Sequence, residues 1–285
     1  MSDPLLITPL TDRALVSVRG EGWRAFLQNL LTNDVEPLAD GQARFTALLT
    51  PQGRLLYDLF VIADGDGALL DVAAEWREAL IERLMIYRLR ARVAIAADAR
   101  AVGVCFSAQP GEGGDASDLS PSTAGPPPAR GRTGLWVADP RLPALGWRVY
   151  GAEGEGDPAA YEAHRLALGV PGAADWGTDR TYPIEADFDL LNGIDFSKGC
   201  FVGQETTSRM KRRGTIKTRM LPIVFEGTAP AFGTEVLAGS LRAGEVLSGA
   251  DGRAMALLRL DRIEGAGLTA DGRPVQVRRQ GWMTG

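Results

Sequence analysis

The residues with the clearest capacity for chemistry lie between Asn192 and Glu205, NGIDFSKGCFVGQE, and in the basic run behind them. Cys200 sits between Gly199 and Gly203, with Lys198 two residues before it and Arg209, Lys211, Arg212 and Arg213 after it. Positive charge and exposed backbone N–H groups favour a thiolate over a thiol, so this is a setting for a reactive cysteine. The alternative is a small buried hydrophobe in a tight turn, because free cysteine is among the most buried residue types. No histidine stands near Cys200 in the sequence, and the single one, His164, shares a helical pattern with Leu166 and Leu168 and reads as structural. A thiol hydrolase is therefore poorly supported. Two cysteines, Cys105 and Cys200, without CxxC spacing, together with one histidine, supply too few soft ligands for a metal or iron-sulfur site made by this chain alone. None is expected.

The run from Arg209 to Arg219, RMKRRGTIKTR, has six basic residues and no acid in eleven positions. It is either a solvated face or a local site for a glutamate tail, a phosphate or an RNA backbone, and charge alone does not choose. Three acids stand out by context. Asp34 is at a helix end, Asp58 interrupts the apolar run Leu55 to Ile62, and Glu185 follows Pro183 in TYPIEADFDL. Each could be an end cap or an outward strand position. An acid on a strand can also hold a protonated pterin nitrogen through paired hydrogen bonds.

The elements that must position these groups follow from the hydrophobic pattern. Ala14 to Val18 alternates as a strand; Trp23, Phe26, Leu27, Leu30 and Leu31 then share one helical face. Gly41 to Leu49, Leu55 to Ala63 and Ala68 to Ala73 read as a strand meander turned at Thr50 to Gly53 and at Asp64 to Gly67. Glu75 to Arg92 is helical in pattern, and Val93 to Ile95, Ala101 to Phe106, Leu135 to Ala138 and Gly146 to Tyr150 read as further strands, with a helix over Pro158 to Leu168. Gln109 to Gly134 has almost no large apolar side chain and reads as a long surface loop. Five short strands after Gly214, with Asp-Gly turns at Asp251 and Asp271, have the spacing of a small closed β-barrel. Hairpins between strands indicate an α+β fold with antiparallel sheet.

Composition limits the function classes. With 45% hydrophobic and 24% charged residues the chain is globular, and at 285 residues it is long enough for two or three domains. Its net charge of −5 argues against a surface that tracks nucleic acid throughout. There is no apolar run long enough to span a membrane and the first residues do not form a signal peptide, so a soluble protein in a reducing compartment is expected.

FLQNLLTNDV (Phe26 to Val35), LLTPQGRLLYDLFV (Leu48 to Val61), YRLRARV (Tyr87 to Val93) and above all KGCFVGQE (Lys198 to Glu205) resemble the folate-binding YgfZ-like proteins, relatives of the glycine cleavage T-protein, an aminomethyltransferase. The resemblance implies a three-lobed fold. A discontinuous first domain (residues 1–46 and 155–212), a ferredoxin-like antiparallel domain (47–154) and a C-terminal β-barrel (213–285) would surround a cavity that takes tetrahydrofolate. It also implies a role in iron-sulfur cluster assembly or repair, supporting enzymes that include tRNA-modifying ones, with those enzymes or assembly proteins as transient partners. Together with the want of an Arg-rich leader, the resemblance implies a cytoplasmic protein. Cys200 is then the signature thiol with Lys198 as its companion, and Asn33, Asp34, Asp58, Glu185, Gln204, Glu205, Arg209 and Arg212 are the expected folate contacts.

The resemblance to the T-protein is incomplete. Tyr57 stands where T-proteins carry the first of two acids, and Ala167 in RLALG replaces a glutamate. A tetrahydrofolate-dependent aminomethyl or methyl transferase is thus the first rival reading. An RNA-binding module that uses residues 209–219 is the second.

Overall fold

The computed structural model describes residues 6–107, 133–214 and 216–283; the stretch expected as a long loop lies outside them except for its last two residues. The observed class is α+β, and the strand ladders are antiparallel throughout the described residues.

Strands β1 (Thr8–Pro9) and β2 (Arg13–Arg19) lead into helix α1 (Trp23–Gln28). The meander follows as β3 (Ala43–Leu49), β4 (Leu55–Asp64) and β5 (Gly67–Ala73), then helix α2 (Arg77–Arg88) and β6 (Ala94–Asp98). These form a five-stranded sheet in the order β3-β4-β5-β2-β6. One face buries Val16, Val18, Leu59, Val61 and Leu70 with Trp23 and Leu27 of α1 and Leu80 and Leu84 of α2. The opposite face buries Leu15, Phe45, Phe60, Ile62 and Leu69 in a second core. A sheet covered on both faces needs apolar side chains at every position, which is why LLYDLFVIA reads as a run rather than an alternation. Asp58 inside that run points into the core, not outward as one reading of the sequence allowed.

A smaller sheet packs on that second core. Its strands β7 (Val102–Cys105), β8 (Leu135–Ala138) and β9 (Trp147–Tyr150) join β1 in the order β1-β7-β9-β8. Helix α3 (Pro158–Ala167) starts at Asp157, whose side chain accepts from the Ala159 N–H at 2.9 Å, with proline in the first turn. Helices α4 (Ala173–Trp176) and α5 (Gln204–Arg213) follow. The last segment closes into a barrel through β10 (Thr218–Val224), β11 (Glu235–Ala238), β12 (Leu241–Ala250), β13 (Arg253–Arg259), β14 (Leu268–Ala270) and β15 (Arg273–Val277). The circuit runs β10-β13-β12-β11-β14-β15, and β15 returns to β10 at Ile223 and Val224. The short helix α6 (Leu260–Ile263) connects two of its strands.

Three differences from the sequence reading have local causes. Helix α2 ends at Arg88 rather than Arg92, because Leu89 takes φ 42° and ψ −105° and leaves the helical path. The expected boundary between residues 46 and 47 falls inside β3, and β2 pairs along its whole length with β5. The barrel has a sixth strand, β14, three residues long and too short to carry an alternation.

Candidate functional site

The KGCFVGQE segment is fixed by its neighbours. Gly203 has φ 81°, and a Cβ there would lie 2.6 Å from the Thr50 carbonyl oxygen, so only glycine lets this loop close on the β3–β4 turn. Phe201 is buried in the core between the sheets, and Val202 packs against the core under α1 and α2. Between these anchors and Gly199, Cys200 is exposed, whereas Cys105 is buried. The alternative of a buried structural cysteine therefore does not hold for Cys200.

Lys198 is a structural partner of this loop. Its Nζ donates to the carbonyl oxygens of Gln28, Leu31 and Asn33 at 2.8, 2.7 and 2.8 Å. Gln28 is the last residue of α1, and Leu31 and Asn33 lie in the segment after it, so one ammonium with three donors satisfies three converging carbonyls at once. Burial pulls its pKa down to about 8, against the pull of Asp34 and Asp195, so the ammonium form prevails at neutral pH. A catalytic role beside Cys200 was expected for Lys198. In the structure its three donors face the Gln28, Leu31 and Asn33 carbonyls and tie the thiol loop to the end of α1 and the segment after it. Lys198→Met is expected to lower stability by about 2 kcal/mol, since charge-assisted bonds are lost and carbonyls are left bare. Urea unfolding measures this, and a change below about 0.5 kcal/mol would contradict the assignment.

Asp58 belongs to a buried ionic network that joins the two sheets. Arg13 on β2 donates to Asp58 on β4 and to Asp71 on β5, both at 2.7 Å. Asp71 also accepts from Arg148 at 2.7 Å and from the Tyr150 hydroxyl at 3.0 Å, both on β9. Arg148 reaches Asp139 at 3.4 Å, and Arg141 donates to the same carboxylate at 3.0 and 2.8 Å. Burial pushes the Asp71 carboxyl up, but Arg13 and Arg148 outweigh it and hold the group below its ordinary range. The Arg148 guanidinium lies 3.7 Å from the Phe60 ring centroid. Three carboxylates and three guanidiniums cancel inside an apolar core, which is the condition under which such charges can be buried.

Glu185 lies elsewhere, where the chain meets the barrel. One of its oxygens accepts from the Tyr182 N–H at 3.0 Å and the other from the Thr218 hydroxyl. Beside it Arg219 donates to Asp187 at 2.6 Å and to Asp189 at 2.9 Å. The second oxygen of Asp187 is buried with no partner among the described residues, and burial pushes this carboxyl up to about 7 against the pull of Arg219. The basic run is thus not one patch. Arg219 is taken by Asp187 and Asp189, and Lys211 lies 3.7 Å from Asp189. Arg209 and Arg212 are exposed on α5, with Gln204 and Glu205 in its first turn. RNA contact through 209–219 as a continuous surface is not supported.

Asn33 and Asp34 form the turn after α1. The Asn33 amide donates to the Phe45 and Asn192 carbonyls at 2.8 and 2.6 Å, and Asp34 accepts from the Glu36 N–H at 3.1 Å. Asn33 also lines a cleft of about 750 Å³, with Arg44, Asp139, Asn192, Asp195 and Ser197 around it. That volume suits a small molecule. Of the eight residues expected to contact folate, only Asn33 lines this cleft. Both oxygens of Glu185 are taken, by the Tyr182 N–H and the Thr218 hydroxyl, whereas Asp58 gives only one oxygen to Arg13. The expected contacts are thus spread over several places in the fold and do not gather around this one cleft. The sequence reading also missed Arg13, Asp71, Asp139, Arg141 and Arg148. The signal present was a charged residue inside an apolar strand, as in GALLDVA and WRVY.

Residues 217–285 match the family described as CAF17, C-terminal beta-barrel domain, in agreement with the observed barrel. The fold is that of the glycine cleavage system aminomethyltransferase T from Bartonella henselae. The TM-score is 0.74 over 97% of this chain and 85% of that one, at 19% identity, a likeness of fold alone. The human iron-sulfur cluster assembly factor IBA57, mitochondrial, is 30% identical over 289 residues, covering 90% of this chain and 78% of that protein. The mouse protein of the same name is 30% identical over 294 residues with the same coverage. The Neurospora crassa homologue is 32% identical over 247 residues, and there the match spans 55% of the relative's length. These relatives are named mitochondrial, which overturns the expected cytoplasmic location. The relationship read from KGCFVGQE stands at the level of iron-sulfur assembly factors on the aminomethyltransferase fold, and the chain belongs to the family of the iron-sulfur cluster assembly factor IBA57.

Proposed function

We propose that this chain acts as an accessory factor in iron-sulfur cluster assembly and that Cys200 is the group that meets the cluster or its carrier. The observation that carries the reading is the exposed Cys200, set on a loop held by Phe201, Val202 and the Lys198 cap. The family membership and the names of the relatives support the process. A single thiolate supplies one ligand of the four that a cluster takes, so the remaining ligands belong to a partner protein. The chain then works by transient contact with other assembly proteins. Complementation of a strain lacking its own factor tests this, with activities of iron-sulfur enzymes, tRNA-modifying ones among them, as the readout. Restored activity with the intact chain is expected, and no restoration would refute it.

Tetrahydrofolate enters this proposal without a role for Glu185, both of whose oxygens are bonded within the chain. In an equilibrium titration with reduced folate, Glu185→Gln is expected to change any measured affinity by less than about twofold. A loss of tenfold or more in a variant that remains folded would return that carboxylate to the pterin.

A further inference from the structure

The end of helix α2 carries a second surface that the thiol loop does not use. Met85, Ile86 and Leu89 are 42%, 66% and 88% exposed, and Leu89 is the most exposed large apolar side chain among the described residues. Leu89 also holds φ 42° with ψ −105°, a conformation that costs a β-carbon-bearing residue energy. Strain and exposure together at one leucine have no folding advantage. From Arg83 to Ala97 the sequence has four arginines and no acid, in a chain of net charge −5. Arg88, Arg90 and Arg92 make no side-chain hydrogen bond or ion pair among the described residues.

We infer that Met85, Ile86 and Leu89, rimmed by Arg88, Arg90 and Arg92, dock an acidic face of another protein, with Leu89 entering an apolar pocket bordered by carboxylates. Charge complementarity selects the occupant. Unpaired guanidiniums present planar forks that match carboxylates two bonds at a time. The four basic residues are all arginine, the cation enriched at protein interfaces, whereas attraction to an anionic membrane would be served equally by lysine. Three apolar side chains at one helix end make a compact knob suited to a pocket rather than a broad face that lies on lipid. The surface is independent of Cys200, so this inference stands or falls apart from the assembly role.

The test starts with a photo-crosslinking residue at position 86 of the full chain, expressed in the complementing strain. The crosslinked protein is identified, purified and titrated against the unmodified chain. A one-to-one complex is expected that weakens with rising salt. Leu89→Gly and the pair Arg88→Glu with Arg90→Glu should each weaken it at least about tenfold. Leu89→Gly suits the observed φ, so its melting temperature should not fall, and Cys200→Ser should bind as the intact chain does. Reversal of a partner carboxylate to lysine should restore binding to the arginine-reversed variant. Absence of a crosslink overturns the inference, as does a partner whose affinity ignores these variants. So do cosedimentation of the chain with phosphatidylcholine vesicles holding about one fifth phosphatidylserine, and self-association of the chain that Leu89→Gly abolishes.

Discussion

Asp71→Ala is expected to lower the unfolding free energy by about 3–5 kcal/mol. Asp71 is fully buried and receives Arg13, Arg148 and the Tyr150 hydroxyl. Removing it leaves the three guanidiniums of Arg13, Arg141 and Arg148 in an apolar core with only Asp58 and Asp139 to answer them. A domain is stable by about 5–15 kcal/mol, so much of the margin goes with one side chain. Because β2, β5 and β9 meet at this carboxylate, the loss should separate the two sheets rather than fray an edge. Urea unfolding measures the effect, and a change below about 1 kcal/mol would mean that water enters and compensates the arginines. Replacing Asp71, Arg13 and Arg148 together by apolar residues of similar volume should recover part of the stability, since it removes the uncompensated charge.

Cys200→Ser is expected to leave folding intact and to reduce restored iron-sulfur enzyme activity to that of the deletion strain. The side chain is exposed, so the substitution removes no core contact, and a hydroxyl at this place is a far poorer ligand for cluster iron than a thiolate. Cys105→Ser should instead lower stability, because Cys105 is buried beside Val149 and Ala152. A thiol reagent added to the native protein should react quickly with one thiol, lost in the Cys200 variant, and slowly with the other. Equal protection of both thiols would contradict the exposed placement of Cys200.

The sequence was most legible where one physical signal dominates. The meander β3–β4–β5 was visible because turn residues at Thr50 to Gly53 and Asp64 to Gly67 separate three strongly apolar runs. The barrel was visible from the spacing of its strands, although β14 was lost for want of length. Cys200 was legible from its glycines and basic neighbours. What Lys198 does was not, because its three carbonyl partners come from residues about 165 positions earlier, and no local pattern reports a contact at that separation. The same holds for the ionic network. Asp58 stands out in the sequence as an acid in an apolar strand, but its partner Arg13 lies on another strand 45 positions away, where no local pattern points to it. The run 209–219 looked continuous in charge, and the fold divides it, turning Arg219 toward Asp187 and Asp189 while α5 exposes Arg209 and Arg212.

The most direct measurement of the assembly role is the activity of an iron-sulfur enzyme in a strain that lacks its own factor and expresses either this chain or its Cys200→Ser variant at equal level. Restored activity with the intact chain and none with the variant is the predicted result. Equal restoration by both would remove the thiol from the mechanism, and restoration by neither would contradict the assembly role itself.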